Sequence, residues 1–166
     1  MAQYLIANGP MPTTAAFAPV TTGTAIKTML QVKPFNLTDI VAWGISFNGF
    51  VAALPIRCEL IETGTVFATV TASVDADITK YDDPNAAAAS IAGLTLGTAA
   101  TGYTATAEGS VVAVRLFDVQ FVAPTNQYSV QFPLGCRPKI NIGASGRIRV
   151  TAAAAVDCYT WMLLSI

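Results

Sequence analysis

The last strand-like segment, Val156–Leu164, is apolar on both of its faces, and that property limits what the chain can fold into more than any other. Read with the two-residue period of a strand, Val156, Cys158, Thr160, Met162 and Leu164 fall on one side. Asp157, Tyr159, Trp161 and Leu163 fall on the other. A two-layer sandwich buries only one face of each strand. A strand that is apolar on both faces therefore needs a second cover, which implies a neighbouring subunit.

The charge content points the same way. Only 11% of the 166 residues are charged, 9 basic and 10 acidic, and 53% are hydrophobic. An average domain of this length carries about 40 charged residues. Lipid is the other way to cover such a surface, but a spanning helix needs about 20 consecutive apolar residues. The C-terminal stretch is shorter and is interrupted by Asp157 and Thr160. No leader is expected at the start, which lacks a basic region and a sustained apolar core. No membrane association is expected. A net charge of −1 gives no electrostatic footprint for nucleic acid.

Residues 1–22 read as an extended N-terminal arm. Asn8, Gly9, Pro10, Pro12 and Pro19 interrupt regular structure, and the segment carries no charge, so it is expected to pack along a surface. Residues 23–166 read as one β domain. Gly23–Lys33 alternates, with Ile26, Thr28, Leu30 and Val32 on one side. Leu37–Gly49 places Val41, Trp43, Ile45 and Phe47 on one parity and Ile40, Ala42 and Gly44 on the other. Pro55–Ala72, broken at Thr63-Gly64-Thr65, predicts a hairpin.

A turn at 81–85 and a short helical turn at 86–89 follow. Further strands are predicted at Thr98–Ala107, Ser110–Val122, Gln127–Phe132, Lys139–Ile142, Arg147–Ala152 and Val156–Leu164. Eight or more short strands bounded by Gly and Pro predict a sandwich or jelly roll. A folded monomer of this mass should expose about 7,800 Å².

Chemistry has little to work with. There is no histidine, so neither a Ser-His-Asp nor a Cys-His arrangement can form, and zinc lacks its usual nitrogen ligand. A cupin-like enzyme on a similar barrel is disfavoured for the same reason. Glu59 and Glu62, three apart on a strand, should point to opposite faces. Asp75, Asp77, Asp82 and Asp83 could supply calcium oxygens, but without the glycine-and-glutamate pattern of an EF-hand they read as a solvated turn. Cys58, Cys136 and Cys158 have no CxxC spacing and read as reduced, buried thiols. No catalytic residue, metal or cofactor is expected.

Five segments, in order, resemble a family of small phage structural proteins: Ala42–Gly49 (AWGISFNG), Pro55–Thr63 (PIRCELIET), Gly102–Gly109 (GYTATAEG), Gln131–Gly135 (QFPLG) and Gly146–Ala152 (GRIRVTA). Together they look like the capsid decoration, or minor capsid, proteins of tailed phages of actinobacteria, over roughly Gly23 to Trp161. The resemblance implies an all-β jelly-roll sandwich of the tumour-necrosis-factor/C1q type. It also implies a homotrimer on the outer capsid surface, bound between capsomers of the phage major capsid protein, and synthesis in a bacterial cytoplasm. The chain departs from the family by ending Met162-Leu-Leu-Ser-Ile166 where acidic residues are expected after the tryptophan.

The candidate partner interface comprises Trp43, Phe47, Arg147, Arg149, Tyr159, Trp161 and Leu163. For Trp43 and Phe47 core packing is the competing reading. For Arg147 and Arg149 it is a wet outer face with the arginine stems lying on apolar neighbours. Arg57, Arg115 and Arg137 carry the same ambiguity. A trimeric tail or receptor-binding module that grips glycans is the alternative function.

Overall fold

Strand β13 (Asp157–Ser165) is hydrogen-bonded along both edges, and the first sheet is built around it. In the computed structural model, which describes residues 2–10, 16–49, 54–81, 92–110 and 114–166, β13 pairs antiparallel with β4 (Thr38–Asn48) on one side. On the other side it pairs with β1 (Gln3–Ala7) and the short β2 (Val20–Thr21). β10 (Gln127–Gln131), β7 (Ile78–Lys80) and β11 (Lys139–Ile140) complete seven strands in the order β10-β4-β13-β1-β7, with β11 on β4 and β2 on β13. The second sheet runs β6 (Thr69–Ala72), β8 (Gly102–Ala107), β3 (Ile26–Val32), β12 (Ser145–Thr151), β5 (Ile56–Thr63), β9 (Val114–Val122). Along the chain the strands switch layer at every step except β1–β2, β5–β6, β8–β9 and β10–β11. This connectivity is the jelly roll.

The core lies between the layers. Ile6, Trp43, Ile45, Phe47, Met162 and Leu164 from the first sheet meet Leu30, Leu60, Ile148 and Val150 from the second. The accessible surface is 7730 Å², close to the scaling estimate for one folded domain of this mass.

The first residues are not an arm. Gln3–Ala7 is a strand inside the seven-stranded sheet, paired to both β13 and β7. The chain leaves the sheet at Asn8, whose side chain takes over the backbone's role. Its Nδ2 donates to the Cys158 carbonyl (3.1 Å), and its Oδ1 accepts from the Thr160 amide (2.9 Å). The Gly and Pro breakers all lie beyond this point, and they hid a strand only five residues long.

The predicted hairpin at Pro55–Ala72 does not form either. β5 pairs with β12 and β9, whereas β6 pairs with β8 at the far edge of the same sheet. Residues 64–68 cross between them as a strap over the sheet's outer side.

Two bulges also move side chains off their predicted parity. A shift between Ile148 and Arg149 against β3 puts both Met29 and Leu30 in the core and turns Thr28 outward to bond Glu108. Another between Leu163 and Leu164 against β4 brings Ile40 to the core side with Trp43. A bulge places two residues against one and so flips the alternation beyond it.

Cys58 and Cys158 are buried and unpaired, whereas Cys136 is exposed. Burial pushes both core thiols up to about 12. A thiol reagent at pH 8 should therefore modify Cys136 alone in the native protein and all three cysteines after denaturation. Reaction at Cys58 or Cys158 in the folded state would contradict this packing. The sign of the pH effect follows. An unfolded chain ionises these thiols near 9.0 while the folded one holds them protonated. Their contribution to stability is complete below that pH and declines as the pH rises toward about 12, so the melting temperature should fall across that window.

Candidate functional site

The outward parity of β13 forms the centre of a broad face. Tyr159 lies opposite Ser46, Trp161 opposite Gly44, and Leu163 opposite Ala42. On the other flank Leu163 faces Leu5 and Trp161 faces Ala7. Trp161 can lie flat there only because position 44 is glycine. A Cβ at that position would stand 2.7 Å from the indole. Phe17 meets Tyr159 edge-on, with ring centroids 4.7 Å apart.

Tyr159, Trp161, Leu163 and Leu5 are each half-buried, and no further layer of the described chain covers them. Between Asp157 at one end and the Asp39–Lys139 ion pair at the other, the outward positions of β10, β4, β13, β1 and β7 carry no charged side chain among the described residues. Burial raises the Tyr159 phenol above its ordinary value.

The other four candidate interface residues are not on this face. Trp43 is fully buried, and its Nε1 donates to Asp118 at 3.1 Å. Phe47 is 7% exposed and packs in the core beside it. They belong to the inner parity of β4, so the core reading holds for both.

Arg147 and Arg149 do share the outer side of the six-stranded sheet, but that side is not wet. Arg147 is 0% exposed beneath the strap. Its Nη2 donates to the Val66 carbonyl at 2.5 Å and its Nη1 to the Glu108 carbonyl at 3.1 Å. The Glu108 carboxylate stands 3.9 Å from Nη1. Burial lowers its guanidinium from the usual value, and Glu108 opposes that shift.

Gln31 does the same work one strand away. It bonds the Ala68 amide (2.9 Å) and the Ala68 and Ala100 carbonyls. Arg149 donates to Glu59 at 3.1 Å, and Arg57 donates to the same carboxylate at 2.6 Å. Glu62 instead pairs with Arg115 and accepts from the Asn141 amide. The two glutamates therefore serve separate sites.

Two features escaped the sequence reading. Asp118 gathers three donors, from Trp43, Tyr128 and Gln120, and fastens β9 to the opposite sheet. Burial and that bond push the Tyr128 hydroxyl up to about 12. Second, β9 is the outermost strand of its sheet, and its outer side exposes Leu116 (54%), Val119 (36%) and Phe121 (71%). The alternation within Ser110–Val122 carried that signal, but a bulge at Phe117 shifts which residues share the outer side.

Among the described residues, Asp75–Asp77 forms a single 3-10 turn, with Asp77 accepting from the Val74 amide. Asp82 and Asp83, the turn at 81–85 beyond its first residue, and the helical turn at 86–89 lie outside the described residues. No group of three or more Cys, Asp or Glu among the described residues is placed to hold a metal ion. No helix there is long and apolar enough to cross a membrane.

Removing the Arg147 guanidinium leaves the part-buried Val66 and Glu108 carbonyls without the donor that fastens the strap to the sheet. Arg147→Met should cost about 3 kcal/mol or more in urea denaturation and expose residues 64–68 to proteolysis. A loss below about 1 kcal/mol would mean that the strap does not depend on it.

No family model matches the chain, no curated protein is similar to it, and no solved structure matches it.

Proposed function

We propose that this chain is a structural virion protein: a capsid decoration protein that assembles as a homotrimer and stabilises a phage head from its outer surface, with no catalytic role. The observation that carries this reading is the uncharged outer face of the seven-stranded sheet, centred on Trp161 and Leu163. An exposed neutral face with apolar side chains at its middle is the pattern of a subunit contact.

A second adhesive surface supports a cyclic assembly. The unpaired edge of β9, with Leu116, Val119 and Phe121 exposed beside it, differs in shape from the flat sheet face. Contact between two unlike surfaces is heterologous, and such a contact closes into a ring of three when its rotation is a third of a turn. Attachment to the major capsid protein rests on the resemblance of the five ordered segments to decoration proteins. The chemistry asked of it is simple. A protein that binds only the assembled lattice stabilises it by RT ln(1 + [L]/Kd), and a trimer multiplies weak single contacts through effective concentration.

Sedimentation velocity at micromolar concentration should show a trimer, and the protein should co-purify with phage heads. Leu163→Glu places a charge on the outward side of β13 without touching the core. It should yield a folded monomer that no longer binds heads. A wild-type protein that stays monomeric, or a Leu163→Glu variant that remains trimeric, contradicts the reading.

A further inference from the structure

The uncharged face changes character along its length. Around Leu163, Leu5 and Ala42 it is apolar, but at the end where β4 and β10 meet the start of β13 it becomes hollow and polar. Three contiguous depressions of about 210, 220 and 320 Å³ all share Ser46 in their floor. Tyr159 walls two of them, and Trp161 closes the one nearest the middle of the sheet.

The side chains of Ser46, Asn48, Asn126, Gln127 and Ser129 line this groove. None of them makes a hydrogen bond to another described residue. Five unspent hydroxyl and amide groups thus converge beside two aromatic rings.

From this arrangement we propose that the groove binds a neutral saccharide. The chemistry selects that class by elimination and by fit. Among the described residues no lysine or arginine lines the groove, and Asp157 at its far end is the one carboxylate, so neither a phosphate nor a sulfated ligand finds a counter-charge there. A purely apolar ligand would strip water from five polar groups without replacing it, at about 1–3 kcal/mol each. An extended peptide lying in the groove would need backbone partners, but β4 and β13 in its floor already spend theirs on their neighbours, and the edge of β10 that is open among the described residues is the rim of the sheet, not its face.

A sugar matches what is left. Its hydroxyls donate and accept, as do the Asn, Gln and Ser side chains, and the C–H face of a pyranose can lie against the ring of Tyr159, which lines two of the three depressions. This inference goes beyond the assembly reading and stands without it, because the groove occupies the end of the face away from Leu163 and Leu5.

The full-length protein should be applied to an array of neutral oligosaccharides built from glucose, galactose, mannose and rhamnose, with sulfated and sialylated glycans as the contrast. The strongest neutral ligand is then titrated by tryptophan fluorescence. The expected result is retention of neutral glycans that is insensitive to salt. An Asn126→Ala/Gln127→Ala double variant, changed only at exposed positions, should lose about tenfold in affinity. Tyr159→Ala should lose as much, and Tyr159→Phe should restore binding because the ring face is kept. Retention of charged glycans alone, or of none, overturns the proposal. So does neutral-glycan binding that the exposed double variant leaves unchanged. Oligomeric state, read separately by sedimentation, keeps this outcome distinct from that of the assembly reading.

Discussion

Everything in the fold hangs on β13 having a partner along each edge. It is paired to β4 over its whole length, and to β1 and β2 over most of the opposite edge. That position forces its inner parity, Cys158, Thr160, Met162 and Leu164, into the core. Its outer parity is then displayed at the middle of a wide sheet, not at an edge. The substitution that would disturb this most locally is at Gly44, where the indole of Trp161 occupies the space a side chain would need. One face of this strand is covered by the second sheet, whereas the outer face, with Tyr159, Trp161 and Leu163 half-buried, has no further layer of the described residues over it.

The scarcity of charge is sharper in the structure than in the sequence. Arg147, Glu59 and Glu62 are buried, and Arg149 and Glu108 are largely enclosed. These groups act inside the subunit. They hold the strap against the six-stranded sheet and tie β9 to β5 and β12 to β5. Buried charges that are paired and hydrogen-bonded are tolerated, whereas unpaired ones are not. With these charges spent internally, the outward positions of the seven-stranded sheet carry none between its two ends among the described residues.

Much of this was legible from residue order alone. Six of the strands after residue 97 lie within a few residues of their predicted bounds, because period-two alternation and Gly or Pro punctuation are local signals. The double-faced character of Val156–Leu164 was equally readable, and it located the face that matters. What failed was non-local. The strap at 64–68 depends on Gln31 and Arg147, which are distant in sequence, so a turn signal at Thr63-Gly64-Thr65 read as a hairpin. The bulges at Met29 and Val41 depend on the partner strand's register and moved Thr28 and Ile40 to unexpected sides. Arg147 and Arg149 shared a face as expected, but no local pattern announces that a loop will cover it. The groove at Ser46 was invisible for the same reason, since its polar groups come from two strands distant in sequence, β4 and β10, and from the turn before β10.

In the assembly proposed above, sister subunits bury the outer side of β13. A cryo-electron microscopy map of the assembled particle carrying this protein tests it most directly. Three copies are expected around each local axis, with density from a neighbouring subunit lying over Trp161, Leu163 and Leu5. A map in which that face stands open to solvent, with the subunits touching elsewhere, would contradict it.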